Sequence, residues 1–173
     1  MDSQKKHYLI TSITLGLIAA ASAVIIGATN MVTRDRIAEN EKNKINSGIT
    51  AIFGENAKTS ESKTLKEEYK YVQYYYEVDT GDKESSYAFR TTGSNMYGKI
   101  SLLVGMSGEV FKGLSVIVNE QTYATTLVDN YLVPVNAGER DVEDVSCGAT
   151  YGAKLVRDMV NEAKKAMGEL MYD

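Results

Sequence analysis

From Tyr8 to Val32 the chain reads YLITSITLGLIAAASAVIIGATNMV, 25 residues without a charge. Crossing the bilayer core takes about 20 apolar residues of helix. In hydrocarbon every backbone N–H and C=O must be paired within the segment, so this run can span only as a helix. The rival reading is a secretory signal, because Lys5, Lys6 and His7 precede the run and alanine-rich sites are cleavable. The apolar core of a signal covers only about 7–15 residues, so an uncleaved anchor is the expectation. No cysteine stands near the end of the run, which excludes a lipid-modified cysteine anchor. Gly16, Ala19, Ala20, Ala23 and Gly27 would let another helix approach closely, although such residues are also ordinary in membrane helices. Lys5 and Lys6 on one flank nearly balance Arg34 and Arg36 on the other, so the count of basic residues leaves orientation open. A short inside N-terminus with the remainder outside is the expectation.

After the span, TRDRIAENEKNKINSGITAIFG keeps a helical pattern, with Ile45, Ile49, Ile52 and Phe53 at helix spacing and charges between them. Gly54 is the expected stop. ENAKTSESKTLKEE reads as a polar linker. From Tyr69 the pattern becomes β-prone: two runs flank Thr80-Gly81-Asp82, and two more, about 100–106 and 110–118, flank Ser107-Gly108-Glu109 as a hairpin. QTYATTLVDNYLVPV reads as a short helix followed by a loop that contains Pro134. From about Thr150 to Met167, the residues Ala153, Val156, Val160, Ala163 and Met167 form one apolar stripe, which predicts an amphipathic helix packed on the sheet. The expected organisation is a short tail (1–7), a transmembrane helix (8–32), a helical extension and linker (33–68), and an α+β domain (69–173) with a small, mainly antiparallel sheet and packing helices.

Composition narrows the function classes. The net charge is −4, and no basic patch with interleaved aromatics is present, so nucleic acid is not an expected partner. One cysteine excludes an internal disulfide framework, and one histidine leaves little for a zinc site.

The chemistry-bearing stretch is Asp144-Val145-Ser146-Cys147-Gly148-Ala149-Thr150-Tyr151. The apolar stripe begins only after Thr150, so the segment reads as a loop leading into a helix N-terminus with Thr150 at or near the cap. The first amides of a helix are unpaired and the dipole favours an anion there. Gly148 and Ala149 keep bulk away from that position. Two readings stand on these grounds: an ordinary capping threonine, or a phosphate site. Cys147 also lies near the helix start, but the only histidine precedes the membrane run, so a Cys-His dyad is excluded and a small packed side chain is expected. The tyrosines Tyr69, Tyr71, Tyr74, Tyr75, Tyr76 and Tyr87 read as strand formers that pack on the sheet.

DVSCGAT resembles the flavinylation motif D-x-x-[S/T/C]-G-A-T of FMN-binding domains. These occur in the G subunit of the Rnf ion-translocating electron-transport complex and in the C subunit of the sodium-pumping NADH:quinone reductase. The membrane run followed by VTRDRIAENE is similar to the start of the Rnf G subunit. GKISLLVGMSGEVFKGLSVIVNEQT resembles the family's two strands that end in an acidic residue and a threonine, here Glu120 and Thr122. The family's usual Glu-Thr-Pro-Gly is replaced by Glu120-Gln121-Thr122-Tyr123. The resemblance implies covalent FMN, joined by a phosphoester to Thr150 by a flavin transferase that uses FAD. It implies a cofactor site around Asp144, Cys147, Gly148, Ala149, Thr150, Tyr151, Lys154, Glu120 and Thr122. It also implies an electron-transfer role on the extracytoplasmic face of the cell membrane, with other membrane and redox subunits as partners. A related quinone-reductase subunit, a stand-alone extracytoplasmic carrier, and a redox-inert membrane adaptor are the alternatives.

Overall fold

The computed structural model describes residues 3–81 and 84–172. The chain divides into two units, Met1–Lys42 and Asn43–Asp173. The first helix, α1 (Ser3–Phe53), supplies all of the first unit's described structure and the opening turns of the second. In the first unit, Leu9, Ile10, Ile13, Leu15, Leu17, Ile18, Val24, Ile25 and Ile26 are all exposed. The helix is long and apolar enough to cross a membrane, with a mean hydropathy of 2.3 in its most apolar window. Four of its threonine hydroxyls are satisfied within the helix: Thr11, Thr14, Thr29 and Thr33 each donate to the carbonyl four residues back at 2.8–3.0 Å. That arrangement suits a segment with no water to bond.

The second unit is a three-layer α+β structure. Its five strands are β1 (Lys58–Thr59), β2 (Val72–Asp79), β3 (Ser86–Asn95), β4 (Gly98–Ser107) and β5 (Val110–Asn119), antiparallel throughout and arranged in chain order. The expected hairpin turns at Gly108, whose φ of 51° suits a residue without Cβ. β4 is buried on both faces. Leu102, Val104 and Met106 belong to one core, with Phe89, Leu114 and the apolar stripe of the last helix, α4 (Thr150–Tyr172). Leu103 belongs to a second core with Ile45, Ile49, Val78, Ala88 and Ile117, against which Ile52 and Phe53 pack. The α1 residues at helix spacing therefore cover one face of the sheet, and α4 covers the other. Gly48 makes the close approach on the α1 side possible: a Cβ there would stand 2.9 Å from Ser115 Oγ and 3.3 Å from Leu103 Cδ2. α1 stops at Phe53, with Gly54 at φ 96°, as expected of the stop.

Two sequence expectations change. The polar run after Gly54 is not only linker. Lys58 and Thr59 form β1, and Lys63 bridges to Tyr75, through backbone pairing that leaves both β1 side chains exposed. The segment around Pro134 is helical rather than a loop: α2 (Ala124–Leu127), a π turn (Val128–Leu132) and α3 (Val133–Asn136) run on without a break. Proline has no N–H to give to the preceding turn, and the wider turn falls just before it. Burial of Leu127, Tyr131, Leu132 and Val135 against the first core outweighs the local penalty.

Candidate functional site

α4 begins at Thr150, and its first hydrogen bond runs from the Ala153 amide to the Ala149 carbonyl at 3.0 Å. Ala149 is therefore the cap and Thr150 the first helical residue. The amides of Thr150, Tyr151 and Gly152 precede that first bond and have no hydrogen-bond partner among the described residues. The Thr150 hydroxyl likewise makes no hydrogen bond to a described residue, and the residue is half-buried. With no hydroxyl caps of their own to turn to, these donors are directed at whatever occupies the space in front of the helix.

That space is a cleft of about 260 Å³ lined by Tyr97, Gln121, Tyr123, Leu127, Gly148, Ala149, Thr150, Tyr151 and Gly152. Three parts of the fold meet there. The β3–β4 hairpin supplies Tyr97, whose amide donates to Asn95 Oδ1 at 2.8 Å. The exit from β5 supplies Gln121 and Tyr123, tied to the hairpin by the Thr122 amide on the Tyr97 carbonyl at 2.7 Å and the Thr122 hydroxyl on the same carbonyl at 3.1 Å. The third part is the loop that leads into α4. The Tyr97 ring lies 5.7 Å from that of Tyr123 and 5.5 Å from that of Tyr151, centroid to centroid.

The loop is held from several directions. Arg140 donates to the carbonyls of Asp144 and Ser146 at 3.1 and 3.0 Å and pairs with the Asp144 carboxylate at 3.0 Å. Asn130, in the π turn, donates to the Cys147 carbonyl at 3.3 Å. The hydroxyl of buried Tyr131 donates to the Val142 carbonyl, and burial pushes its pKa up, so it stays a donor at any ordinary pH. Gly148 sits at φ 81°, a backbone state that residues with a Cβ rarely adopt. Together these contacts fix the turn that presents Thr150.

Among the residues expected from sequence, Gly148, Ala149, Thr150 and Tyr151 line the cleft together. Cys147 is buried and packs with the first core. Asp144, exposed, acts on the loop through Arg140. Lys154 stands one turn along α4, its Nζ 5.8 Å from the Tyr151 ring centroid. Glu120 and Thr122 flank the cleft rather than line it; the residue between them, Gln121, is the one that turns in. Sequence reading missed Gln121, Tyr97 and Tyr123. Gln121 is 6% exposed, and its Nε2 donates to the Gly98 carbonyl. Its Oε1, which lies near Gly152, has no hydrogen-bond partner among the described residues. The only advance signal was its place between two residues already singled out.

The structure thus offers a helix terminus whose unpartnered amides favour an anion, with an unbonded hydroxyl on its first residue, beside an aromatic-rimmed cleft. Among the described residues no group of histidine, cysteine and acidic side chains is placed to hold a metal ion. No curated protein matches the chain at a significant level. Residues 1–52 match the family model described as the RnfG N-terminal region. The matched span takes in the membrane-type helix and the α1 turns that pack on the sheet. The likeness to the RnfG N-terminal region is thus confined to residues 1–52, the stretch whose helix is long and apolar enough to cross a membrane.

Proposed function

We propose that this chain is the covalent-FMN electron-transfer subunit of an Rnf-type ion-translocating ferredoxin:NAD⁺ oxidoreductase, with the flavin joined to Thr150 through a phosphoester on the extracytoplasmic side. The observation that carries the reading is the conjunction at Thr150. An unbonded hydroxyl stands beside three unpartnered amides at the mouth of a cleft, on a chain whose first 52 residues match the RnfG N-terminal region. The residues present fit the group. A phosphodiester is an acceptor-rich anion, and the Thr150, Tyr151 and Gly152 amides are donors at the positive end of α4.

Attachment is a transfer reaction made by a separate flavin transferase with FAD. Thr150 Oγ1 attacks the phosphorus on the flavin side of the diphosphate. A P–O bond to the threonine forms as the bond to the AMP phosphate breaks, and the hydroxyl proton is given up. When bound, FMN supplies reversible one- and two-electron transfer, and the protein's part is position and electrostatics. The first-turn amides hold the phosphate, and Lys154 adds positive charge one turn along. The Arg140-braced loop keeps Thr150 at the mouth. α1 ties the carrier to the membrane, where the other subunits of the complex are its partners for donating and accepting electrons.

The test is Thr150→Ala, expressed in a host that supplies the transferase. Loss of in-gel flavin fluorescence is expected. Retained fluorescence would refute the attachment site, and a colourless unaltered protein would favour a redox-inert adaptor.

A further inference from the structure

The cleft presents its chemistry in an order that a phosphate alone does not use. At the helix terminus it offers donors only. Next to Gly152 it offers an acceptor, Gln121 Oε1, on a side chain that is 6% exposed. The amide's orientation is settled by its Nε2, which must face the Gly98 carbonyl to which it donates. The Oε1 is left toward the cleft with no partner among the described residues. Because Gln121 lines the cleft, this oxygen is an acceptor that a donor on a bound molecule can reach. Phosphate oxygens are acceptors and do not answer it. Beyond it lies a rim of three tyrosines, with Tyr97 between Tyr123 and Tyr151. Tyr123 and Tyr151 are 52% and 59% exposed, a large aromatic surface to leave beside a concave site. Aromatic faces of this kind take planar π systems in offset or tilted stacks.

We propose that Tyr97, Tyr123 and Tyr151 form the platform for the isoalloxazine ring, and that Gln121 Oε1 accepts a hydrogen bond from a hydroxyl of the ribityl chain between ring and phosphate. The proposal rests on the reading of the cleft as an FMN site and assigns the parts of the ligand within it. FMN carries an anion, donor hydroxyls and a planar ring in the same sequence in which the cleft offers amides, an acceptor and aromatic faces. Phenol rings against an excited flavin quench its emission: one electron passes from the phenol to the excited ring and returns, with no net oxidation.

The experiment uses the full chain in detergent, purified from a host with the flavin transferase. Emission per covalent flavin and emission anisotropy are measured in the native protein and after denaturation, with mass spectrometry of the Thr150 peptide alongside. Native emission is expected to be several-fold below the denatured value. Tyr97→Leu is expected to raise native emission several-fold, and Gln121→Met to lower the anisotropy, with the adduct still on Thr150. Equal native and denatured emission overturns the platform, and this comparison needs no variant to fold. Unchanged anisotropy in a folded Gln121→Met protein overturns the hydroxyl assignment. Absence of any adduct on Thr150 is a different result, which removes the FMN reading itself.

Discussion

Asn136 treats Leu114 as a neighbouring strand would: its Oδ1 accepts the Leu114 amide at 2.8 Å, and its Nδ2 donates to the Leu114 carbonyl at 2.8 Å. β5 ends the sheet on that side, and an unpaired edge is a template for association. Lys44 covers a second point on β5, donating to the Ile117 carbonyl at 3.0 Å. Asn136→Ala is predicted to cost about 1 kcal/mol and to promote self-association. Thermal melting and light scattering of the full chain in detergent check both effects.

A second prediction concerns the contact between α4 and the start of β2. The Glu162 carboxylate accepts the amides of Lys70 at 2.9 Å and Val72 at 3.0 Å, together with that of Tyr71. Three donors converge on one charged acceptor. Glu162→Gln keeps the shape but gives up the charge and one acceptor oxygen, and is predicted to lose about 1–3 kcal/mol. Denaturant titration measures the loss, and amide hydrogen exchange is expected to rise first at residues 70–72.

Tyr69 gives a pH prediction. Its hydroxyl donates to Glu169 Oε2 at 3.1 Å. Burial first, and then this bond to a carboxylate, push its pKa from 10.0 up to about 12. The folded state favours the protonated phenol, so its contribution is fully present below pH 10 and is lost as pH rises through about 12. Tyr69→Phe is therefore expected to be less stable than the unaltered chain at neutral pH. The gap should narrow between pH 10 and 12, as followed by unfolding at stepped pH.

The packing of α1 on the sheet is tested at Gly48. A Cβ there would come within 2.9 Å of Ser115 Oγ and 3.0 Å of Ser115 Cβ; the hydroxyl can rotate away, but the Cβ is fixed by its strand. Gly48→Ala raises helix propensity but overpacks the contact. A net destabilisation of about 1–3 kcal/mol is expected, where the same substitution on an exposed helix face would stabilise by about 1 kcal/mol. The sign of the measured change decides.

What the sequence made legible was whatever depends on local pattern. The Ser107-Gly108-Glu109 turn, the stripe from Ala153 to Met167, and the Ile45, Ile49, Ile52 and Phe53 spacing each state their structure within a short window. The parts that were not legible depend on partners distant in the chain. β1 is held by backbone pairing with Asp79 and Val78 and has no apolar alternation of its own. The Pro134 segment is helical because Tyr131, Leu132 and Val135 pack on the first core. At the site, the helix entrance and Thr150 were readable because glycine, alanine and threonine announce a helix start. Tyr97 and Gln121 were not, since they reach the cleft from a hairpin tip and a strand exit joined by long-range bonds.

The central claim is that Thr150 carries FMN. Mass spectrometry of the peptide containing Thr150, from protein made alongside a flavin transferase, tests it most directly. The account predicts an added mass of FMN less water, localised to Thr150 by fragmentation. An unmodified Thr150 peptide, or an adduct on another residue, would contradict it.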